Sequence, residues 1–587
     1  MEKSEQGLSR RSFLKGIGAV AAAGAVATAA SVSPALVQPE AEAVTTVDAN
    51  AGKTTGYLKT KTGYPTENPE WLGEPPEIAE ADITETIETE VLVVGYATGG
   101  MPAVAAAVEE GAMVYVVDRQ AEPYRMKEDI GSINSSLQKA YIAEHPEYEI
   151  TEKDALEDIV RYGNGYVNDD LIKVWIRESG AYVDWYQKIL ESTDEYHLEF
   201  EAGLGTEDGQ RDRAYATGHS PQKNNSDVTR RPEAIFKDYI DSFGLATFRF
   251  NAFFEKLEQD ETGRVTGAIC RDEKTDKYFR VNASKGVILA TGGYSTDLEM
   301  MRALQPEILD VKIAVDGSGS PSTGQGLKAA MWCGARKDPV GTSMLFNRAC
   351  CLPDATTGYG TPGKWFWFGE QPNLKVNLNG DRFCNESGPY DYMLHHAYMQ
   401  PYHTYCTIWD ANHQQYAEQF DEVGCCRLFK FDNGAQNNIS MATVETMIEG
   451  LIEAGYVIKA DTLDELAEGL HIPVDEFKKT VATYNGYAAD GYDPDYFKEP
   501  HRITPVDTAP FYGVRTGAWH LTTLDGVLID TDMRVLDQDN NPIPGLYATG
   551  DVSGGFFSTT YPNLMTGLAC GRTMTFGRHA GQVVAHA

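Results

Sequence analysis

The chain has 587 residues, and its 86 acidic against 50 basic side chains leave a formal charge of −36. A surface so acidic excludes nucleic acid and anionic lipid as partners, while the length predicts more than one structural unit. The nine cysteines form no C-x-x-C pair and no C-x-x-C-H site, which argues against structural zinc, iron–sulfur clusters of the common spacings and a built-in cytochrome.

The first element is an address. Arg10 and Arg11 precede a soft apolar run that ends in Ala41-Glu42-Ala43, so residues 1–43 read as a twin-arginine signal peptide with an A-x-A cleavage site. That route carries proteins already folded, usually around a cofactor, which points to a redox protein in the periplasm or on the outer face of the cytoplasmic membrane. The segment holds four acidic and four basic side chains, so the whole charge excess stays with the mature chain from Val44. No later stretch reaches the roughly 20 apolar residues of a membrane helix, and the mature chain is therefore not expected to be an integral membrane protein.

Residues 44–85, rich in Thr, Pro, Gly and Glu, read as a tail and linker. Glu90–Val94 is a buried strand, Gly99–Glu110 a small-residue helix and Ala112–Val117 a second strand, which is a βαβ opening and predicts a parallel sheet covered by helices. Residues 154–190 carry helical spacing. Phe248–Leu257 and Val265–Cys270 read as strands, and Val287–Ala290 is another continuous apolar strand. From 341 to 504 the texture turns to aromatic-rich loops with amphipathic helices near 441–454 and 461–469, an inserted domain. Strand texture returns at Gly526–Asp530 and Gly545–Asp551, so a first α/β part (86–340) is completed by residues 505–587.

Gly95-Tyr96-Ala97-Thr98-Gly99-Gly100 between strand and helix is a dinucleotide fingerprint in which Ala97 replaces the second glycine. The extra methyl weakens the approach to a pyrophosphate without excluding it. Asp118, with Arg119 beside it, ends the second strand where a carboxylate accepts from ribose hydroxyls. The helix N-terminus faces the pyrophosphate.

Further motifs follow in order: Gly131-Ser132-Ile133-Asn134-Ser135-Ser136, Ala290-Thr291-Gly292-Gly293-Tyr294, Thr323-Gly324-Gln325-Gly326, Gly380-Asp381-Arg382-Phe383-Cys384-Asn385-Glu386 and Gly545–Asp551. Together they resemble the FAD-dependent fumarate reductase and 3-ketosteroid dehydrogenase superfamily over about residues 88–587. The resemblance implies an α/β fold: a Rossmann-like FAD-binding domain of the glutathione-reductase type, interrupted by an α+β capping domain at 341–504. It implies FAD contacts from Gly95, Ala97, Thr98, Gly99, Gly100, Asp118, Arg119, Ser132, Asn134, Ser135, Ala290, Thr291, Gly292, Thr323, Gly324 and Asp551. Relatives that tether flavin use a histidine just before the Gly-x-x-Asn segment. Residues 119–136 contain none, so the FAD is expected to be non-covalent. With no haem-bearing or FMN-bearing segment visible, electrons are expected from a separate carrier, a cytochrome or similar.

Fumarate reductases of this superfamily put a proton-donating arginine four residues after Asn-Glu, where this chain has Tyr390. Their His-Thr-Met-Gly-Gly segment becomes Thr522-Thr523-Leu524-Asp525-Gly526. Their Asn-Arg-Leu-Gly-Gly segment becomes Tyr561-Pro562-Asn563-Leu564-Met565-Thr566-Gly567. The groups that clamp a dicarboxylate are missing, while Tyr390 and the Tyr561-Pro562 pair look like the ketosteroid dehydrogenase pattern. A phenol with an ordinary pKa near ~10 can give a hydrogen bond or a proton while neutral at pH 7. Tyr390 and Tyr561 are thus the catalytic candidates.

The expected function is an exported FAD reductase that saturates a C=C bond conjugated to a carbonyl of a small enone or enoate, in anaerobic respiration and not on fumarate. Flavin N5 would give hydride to the β carbon and a tyrosine a proton to the α carbon. The same groups allow a ketosteroid-type dehydrogenase running in reverse, or a non-catalytic flavin-binding or electron-transfer protein. His395, His396, His403 and His413 read as solvent-facing histidines of the inserted domain, with no metal site. Asp184-Trp185 and Trp365-Phe366-Trp367-Phe368 are either pocket wall or ordinary packing. Cys350-Cys351 and Cys425-Cys426 are packed thiols or vicinal disulfides.

Overall fold

The computed structural model describes residues 69–587 except 124, 128, 203–214, 317–321, 359, 421–425, 427, 432, 437 and 438. The export segment, the linker up to residue 68 and Cys425 therefore lie outside the described residues. The chain opens on strand β1 (Ile83–Val94), helix α1 (Gly100–Glu109) and strand β2 (Val114–Val117). A separate antiparallel pair, β3 (Tyr196–Phe200) and β4 (His219–Lys223), follows. Strands β5 (Ala246–Arg249), β6 (Ala252–Gln259), β7 (Val265–Asp272) and β8 (Lys277–Leu289) then return to the first sheet. A second sheet is built from β9 (Lys312–Asp316), β10 (Ser343–Cys351), β11 (Gly363–Trp365), β12 (Leu374–Val376), β13 (Tyr405–Trp409), β14 (Val457–Ala460) and β15 (Phe511–Thr523). Strands β16 (Arg534–Leu536) and β17 (Pro542–Ala548) go back to the first.

In the first sheet β17, β8, β1, β2 and β5 lie side by side and parallel, and β6 and β7 form an antiparallel meander on β8. Val91–Val94 and Val287–Leu289 are buried on both faces of the sheet, with helix α1 on one of them, which leaves no solvent face to pattern. The register is the feature that builds a site. Ala548 pairs with Leu289, Leu289 with Val94, and Val94 with Val117. Four adjacent strands thus end at one level, and the loops after them start side by side, the crevice where open α/β sheets bind ligands.

Helix α1 is buried from Gly100 to Val108, and its run of Gly, Ala and Val lets a second helix come close. That partner is α6 (Leu568–Ala585), the last helix of the chain. A Cβ on Gly577 would overlap the carbonyl oxygen of Gly99, one on Gly581 that of Ala103, and one on Gly571 that of Gly131. Three glycines on one helix therefore meet three backbone oxygens.

The second sheet spans residues 312–523, wider than the 341–504 expected for the inserted domain. It recruits β9 before that range and the 13-residue β15 after it. Phe248–Leu257 is two strands, because Asn251 takes a left-handed φ of 55° between β5 and β6. Gly526–Asp530 makes only isolated bridges at Val527 and Ile529. The helices at Met441–Glu453 and Leu463–Leu470 match the expected amphipathic pair. Helix Val474–Asp490 and helix α6 were not anticipated: the first carries scattered Gly, Tyr and Thr and the second scattered Gly and Thr, which blur their period.

Replacing Gly581 with valine should lower the stability of the protein by at least about 1–3 kcal/mol, the usual cost of overpacking. Thermal unfolding of the variant beside its parent measures this, and an unchanged melting temperature would contradict the packing described.

Candidate active site

The loops that follow β1, β2, β8 and β17 all line one cavity, with Gly95, Asp118, Ala290 and Asp551 among their contributions. The ladder continues into these loops: Gly95 N–H donates to Val117 O (2.8 Å), Ala290 N–H to Val94 O (2.8 Å) and Thr549 N–H to Leu289 O (2.9 Å). Gly95 has φ 97°, and a Cβ there would overlap the Ala290 carbonyl oxygen, so the turn accepts only glycine. Gly100 packs its own Cα on Gly95 in the same way, the close helix–strand approach that the last glycine of such a fingerprint serves. Helix α1 follows its N-cap Gly99 without a side-chain cap; Met101 N–H bonds Ala97 O (2.9 Å) and Pro102 carries no N–H, so the turn offers an anion the N–H groups of Gly99 and Gly100.

The two acidic residues are held differently. Asp118 accepts the backbone N–H groups of Tyr96 (2.5 Å) and Gln120 (2.6 Å), which stiffens the glycine turn; burial pushes its pKa up and the two N–H bonds pull it back. Each oxygen keeps a lone pair for a ribose hydroxyl. Asp551 is half-buried; desolvation raises its pKa, against the hydrogen bond it accepts from Thr522 Oγ1 at 2.8 Å and the charges of Arg572 and Lys127.

The cavity also receives the second sheet. Met344 and Phe346 of β10, Leu521 and Thr522 of β15, and Tyr390, the first residue of helix α5 (Tyr390–Tyr398), all face it. The Tyr390 and Tyr561 rings lie nearly parallel, 6.3 Å between centroids at 13°, and Phe346 packs on Tyr390 at 4.6 Å. Two bonds fix Tyr561: its hydroxyl accepts the N–H of Ala569 at the start of α6 (3.2 Å), and its own N–H donates to Asp391 Oδ2 (3.0 Å). A phenol oxygen that accepts the helix-terminal N–H acts as a donor through its own O–H.

Of the residues expected at the cofactor, Gly95, Ala97, Thr98, Gly99, Asp118, Arg119, Ala290, Thr291, Gly292, Thr323 and Asp551 line the cavity, as do Tyr390 and Tyr561. Gly100, Ser132, Asn134, Ser135 and Gly324 do not, and the structure gives most of them other work. Ser135 Oγ accepts from Gln138 N–H as the N-cap of helix α2 (Ser136–Glu144) and bonds the ring of buried His219 at 2.7 Å, whose pKa is lowered by burial to about 4. Asn134 takes φ 67° with an exposed side chain, turning the chain into that helix. Ser132 is buried with no hydrogen-bond partner for its hydroxyl. Gly324, at φ 71°, turns the chain into helix Gln325–Trp332.

The Gly380–Glu386 motif also lies off the cavity. Arg382 makes a bidentate pair with Glu386 (2.7 and 2.8 Å) and reaches Asp493 (2.7 Å), an ion network that ties the chain after β12 to the loop near 493. A second buried network joins the sheets: Tyr294 OH and Gln305 Nε2 donate to Asp525, which also pairs with Lys337, and Gln305 Oε1 accepts from Ser343. No motif marks Met344, Phe346 or Asp391 as part of the site, since only the folding of β10 and α5 brings them there. His413, expected to face solvent, is buried between Asp410 O (2.9 Å) and Glu445 (2.7 Å). Among the described residues no group of His, Cys, Asp and Glu is arranged to hold a metal ion. Phe366 and Phe368 pack with Trp409 away from the cavity, Asp184 accepts from Ser136, and Trp185 donates to Glu109. Cys350 and Cys351 are free, buried thiols that join different apolar clusters from successive positions of β10.

The donor set fits FAD. A glycine-only turn at a helix terminus suits the pyrophosphate, Asp118 the ribose and Asp551 the ribityl chain, while buried Thr291 Oγ1 has no protein partner. No histidine lines the cavity among the described residues.

Residues 90–564 match the family described as FAD binding domain, and residues 7–27 match the twin-arginine translocation signal family. Vinyl phenol reductase of Lactiplantibacillus plantarum is 25% identical over 84% of this chain and 95% of its own. Urocanate reductase of Eggerthella lenta is 25% identical over 87% of this chain and 77% of its own. A solved structure of 3-ketosteroid-Δ4-(5α)-dehydrogenase from Rhodococcus jostii superposes with a TM-score of 0.63 at 20% identity, covering 87% of this chain and 99% of that one. Among the described residues no helix is long and apolar enough to cross a membrane.

Acid precipitation of the purified protein should release one FAD per chain into the supernatant; a yellow pellet would contradict non-covalent binding. Gly95→Val should abolish flavin occupancy, read from the visible spectrum, and parental occupancy would mean the cofactor lies elsewhere.

Proposed function

This chain belongs to the FAD-binding domain family and carries a twin-arginine export signal, and from that premise we propose that it is an FAD-dependent reductase that saturates a C=C bond conjugated to a carbonyl, with fumarate excluded as its physiological acceptor. The bound FAD supplies hydride from its reduced N5. The observation that carries the reading is the parallel pair Tyr390 and Tyr561 at the cavity, in a chain whose motif puts Tyr390 at the proton-donor position.

Tyr390 is the proposed general acid for the α carbon. Tyr561, with its oxygen held by the α6 terminus, donates a hydrogen bond to the substrate carbonyl and stabilises the charge that gathers there as hydride arrives. Asp391 orients this second phenol through the Tyr561 backbone. Gly95, Thr98, Asp118, Thr291 and Asp551 hold the cofactor in this reading. The relatives' names favour reduction over dehydrogenation, since vinyl phenol and urocanate are both unsaturated acceptors. Export favours it too, with the protein in the periplasm or on the outer membrane face and a separate carrier, a cytochrome or similar, as electron donor. The reverse reaction, on a ketosteroid-like ketone, would be recognised by bleaching of the oxidised flavin on adding substrate.

An anaerobic screen of enones, enoates and steroids against the dithionite-reduced protein tests the reading: a substrate should restore the oxidised flavin spectrum, and rapid reoxidation by fumarate would overturn the specificity. On the acceptor so found, Tyr390→Phe should slow reoxidation by about 10²–10⁴, the scale of a positioned general acid, with flavin content unchanged. A fall of only a few-fold would reduce Tyr390 to pocket lining.

The export segment lies outside the described residues but is as testable. Changing Arg10 and Arg11 together to lysine should leave the precursor inside the cell, whereas the parent should appear outside with Val44 as its first residue. Normal export of the double variant would refute the twin-arginine route.

A further inference from the structure

The charges around the cavity are unevenly distributed. Among its described lining residues the cations are Arg119, Arg125 and Lys127, all from the single segment that leaves β2. That segment is fastened to the fingerprint turn by the Lys127 N–H on Thr98 Oγ1 at 3.2 Å. Arg119 is paired with Glu273 at 3.2 Å, and Lys127 acts on the carboxylate of Asp551. Arg119 and Lys127 are thus already engaged by carboxylates. The rest of the described lining adds no cation, and the charged group bonded to the second phenol's backbone, Asp391, is itself acidic. Asn563, two residues after Tyr561, lines the cavity, and its carboxamide has no hydrogen-bond partner among the described residues. Met344, Phe346 and Leu521 complete an apolar wall.

A carboxylate moved into such a pocket loses its hydration without gaining a counter-charge, whereas a ketone, ester or phenol oxygen needs only the hydrogen bonds that Tyr561 and Asn563 offer. Resting on the reductase reading above, we propose that the site selects uncharged substrates with an apolar body and one hydrogen-bonding oxygen, and discriminates against carboxylates as a class, monocarboxylates included. Asn563 is the residue that sets this preference.

Methyl cinnamate and cinnamate share one skeleton and differ by a charge, so they isolate it. Titrated into the oxidised, FAD-loaded protein and followed by the flavin difference spectrum, the ester should bind at least about tenfold tighter than the acid. Equal or tighter binding of cinnamate, or no spectral change with either, overturns the proposal. Asn563→Arg, compared at matched flavin content, should reverse the order; a variant that still prefers the ester removes Asn563 from the account, while the parent's own comparison decides the rest. The two readings fail separately. If methyl cinnamate binds but neither it nor any enone, enoate or steroid of the screen reoxidises the reduced protein, the reductase reading falls and charge selection stands. If cinnamate binds tighter and reoxidises the flavin, charge selection falls and the reductase reading stands.

Discussion

Backbone packed directly on backbone is the constraint from which the site follows. Gly95 lies on the Ala290 carbonyl, Gly100 on Gly95, Gly577 on Gly99 and Gly571 on Gly131. These contacts join the ends of β1 and β8, the start of α1, the segment before α2 and the face of α6, with no side chain between them. Only such close approach lets four strand ends at one level open onto a single cleft that exposes main-chain N–H groups. A methyl at any of these glycines would need movement of main chain, because interiors at crystal-like density have no slack.

Around that frame, polar groups fix one element against another. Asp118 stiffens the turn whose N–H groups it accepts, Arg382 with Glu386 and Asp493 locks the loops beyond the second sheet, and Asp525 with Tyr294, Gln305 and Lys337 ties the two sheets together. Buried networks of this kind set a unique relative orientation, since half-made hydrogen bonds in a low dielectric are costly. The consequence is felt at Tyr390 and Tyr561, which reach the cavity from residues far apart in the chain yet end up stacked with a fixed spacing.

The cofactor half of this site was readable from the sequence because its chemistry needs contiguous residues. A tight turn, a strand end and a helix start are local, so Gly95–Gly100, Asp118, Ala290–Gly292 and Asp551 announce themselves by type and order. The substrate half is assembled from side chains of β10, β15 and α5, and nothing in residues 343–347 or 520–523 marks them as neighbours of Tyr561. Ser132, Asn134 and Ser135 are the converse case, residues of a visible motif that are not among the cavity lining. The spacing of a motif was visible, but whether a hydroxyl faces a ligand or caps a helix depends on where the next helix starts, and Ser135 turned out to be that cap. The extent of the second sheet was hidden for a similar reason: β15 mixes Gly, Arg, Thr and His with its aromatics and shows no clear strand pattern, and only its partners β10, β13 and β14 assign it there.

Helix α6 closes the cleft, yet its residues follow every strand in the chain. A ribosome making this protein therefore releases the two walls of the cofactor site long before the piece that seals them. Ala569, Cys570 and Thr573 of that helix line the cavity, so the lining is complete only once residues 568–585 have emerged and docked on α1. For a protein whose N-terminus is an export address, the signal is the first thing the cell sees and the seal nearly the last. The fold thereby sets an order of events in which early engagement of the exporter would meet an open cleft, and a completed C-terminal helix marks a chain ready to leave.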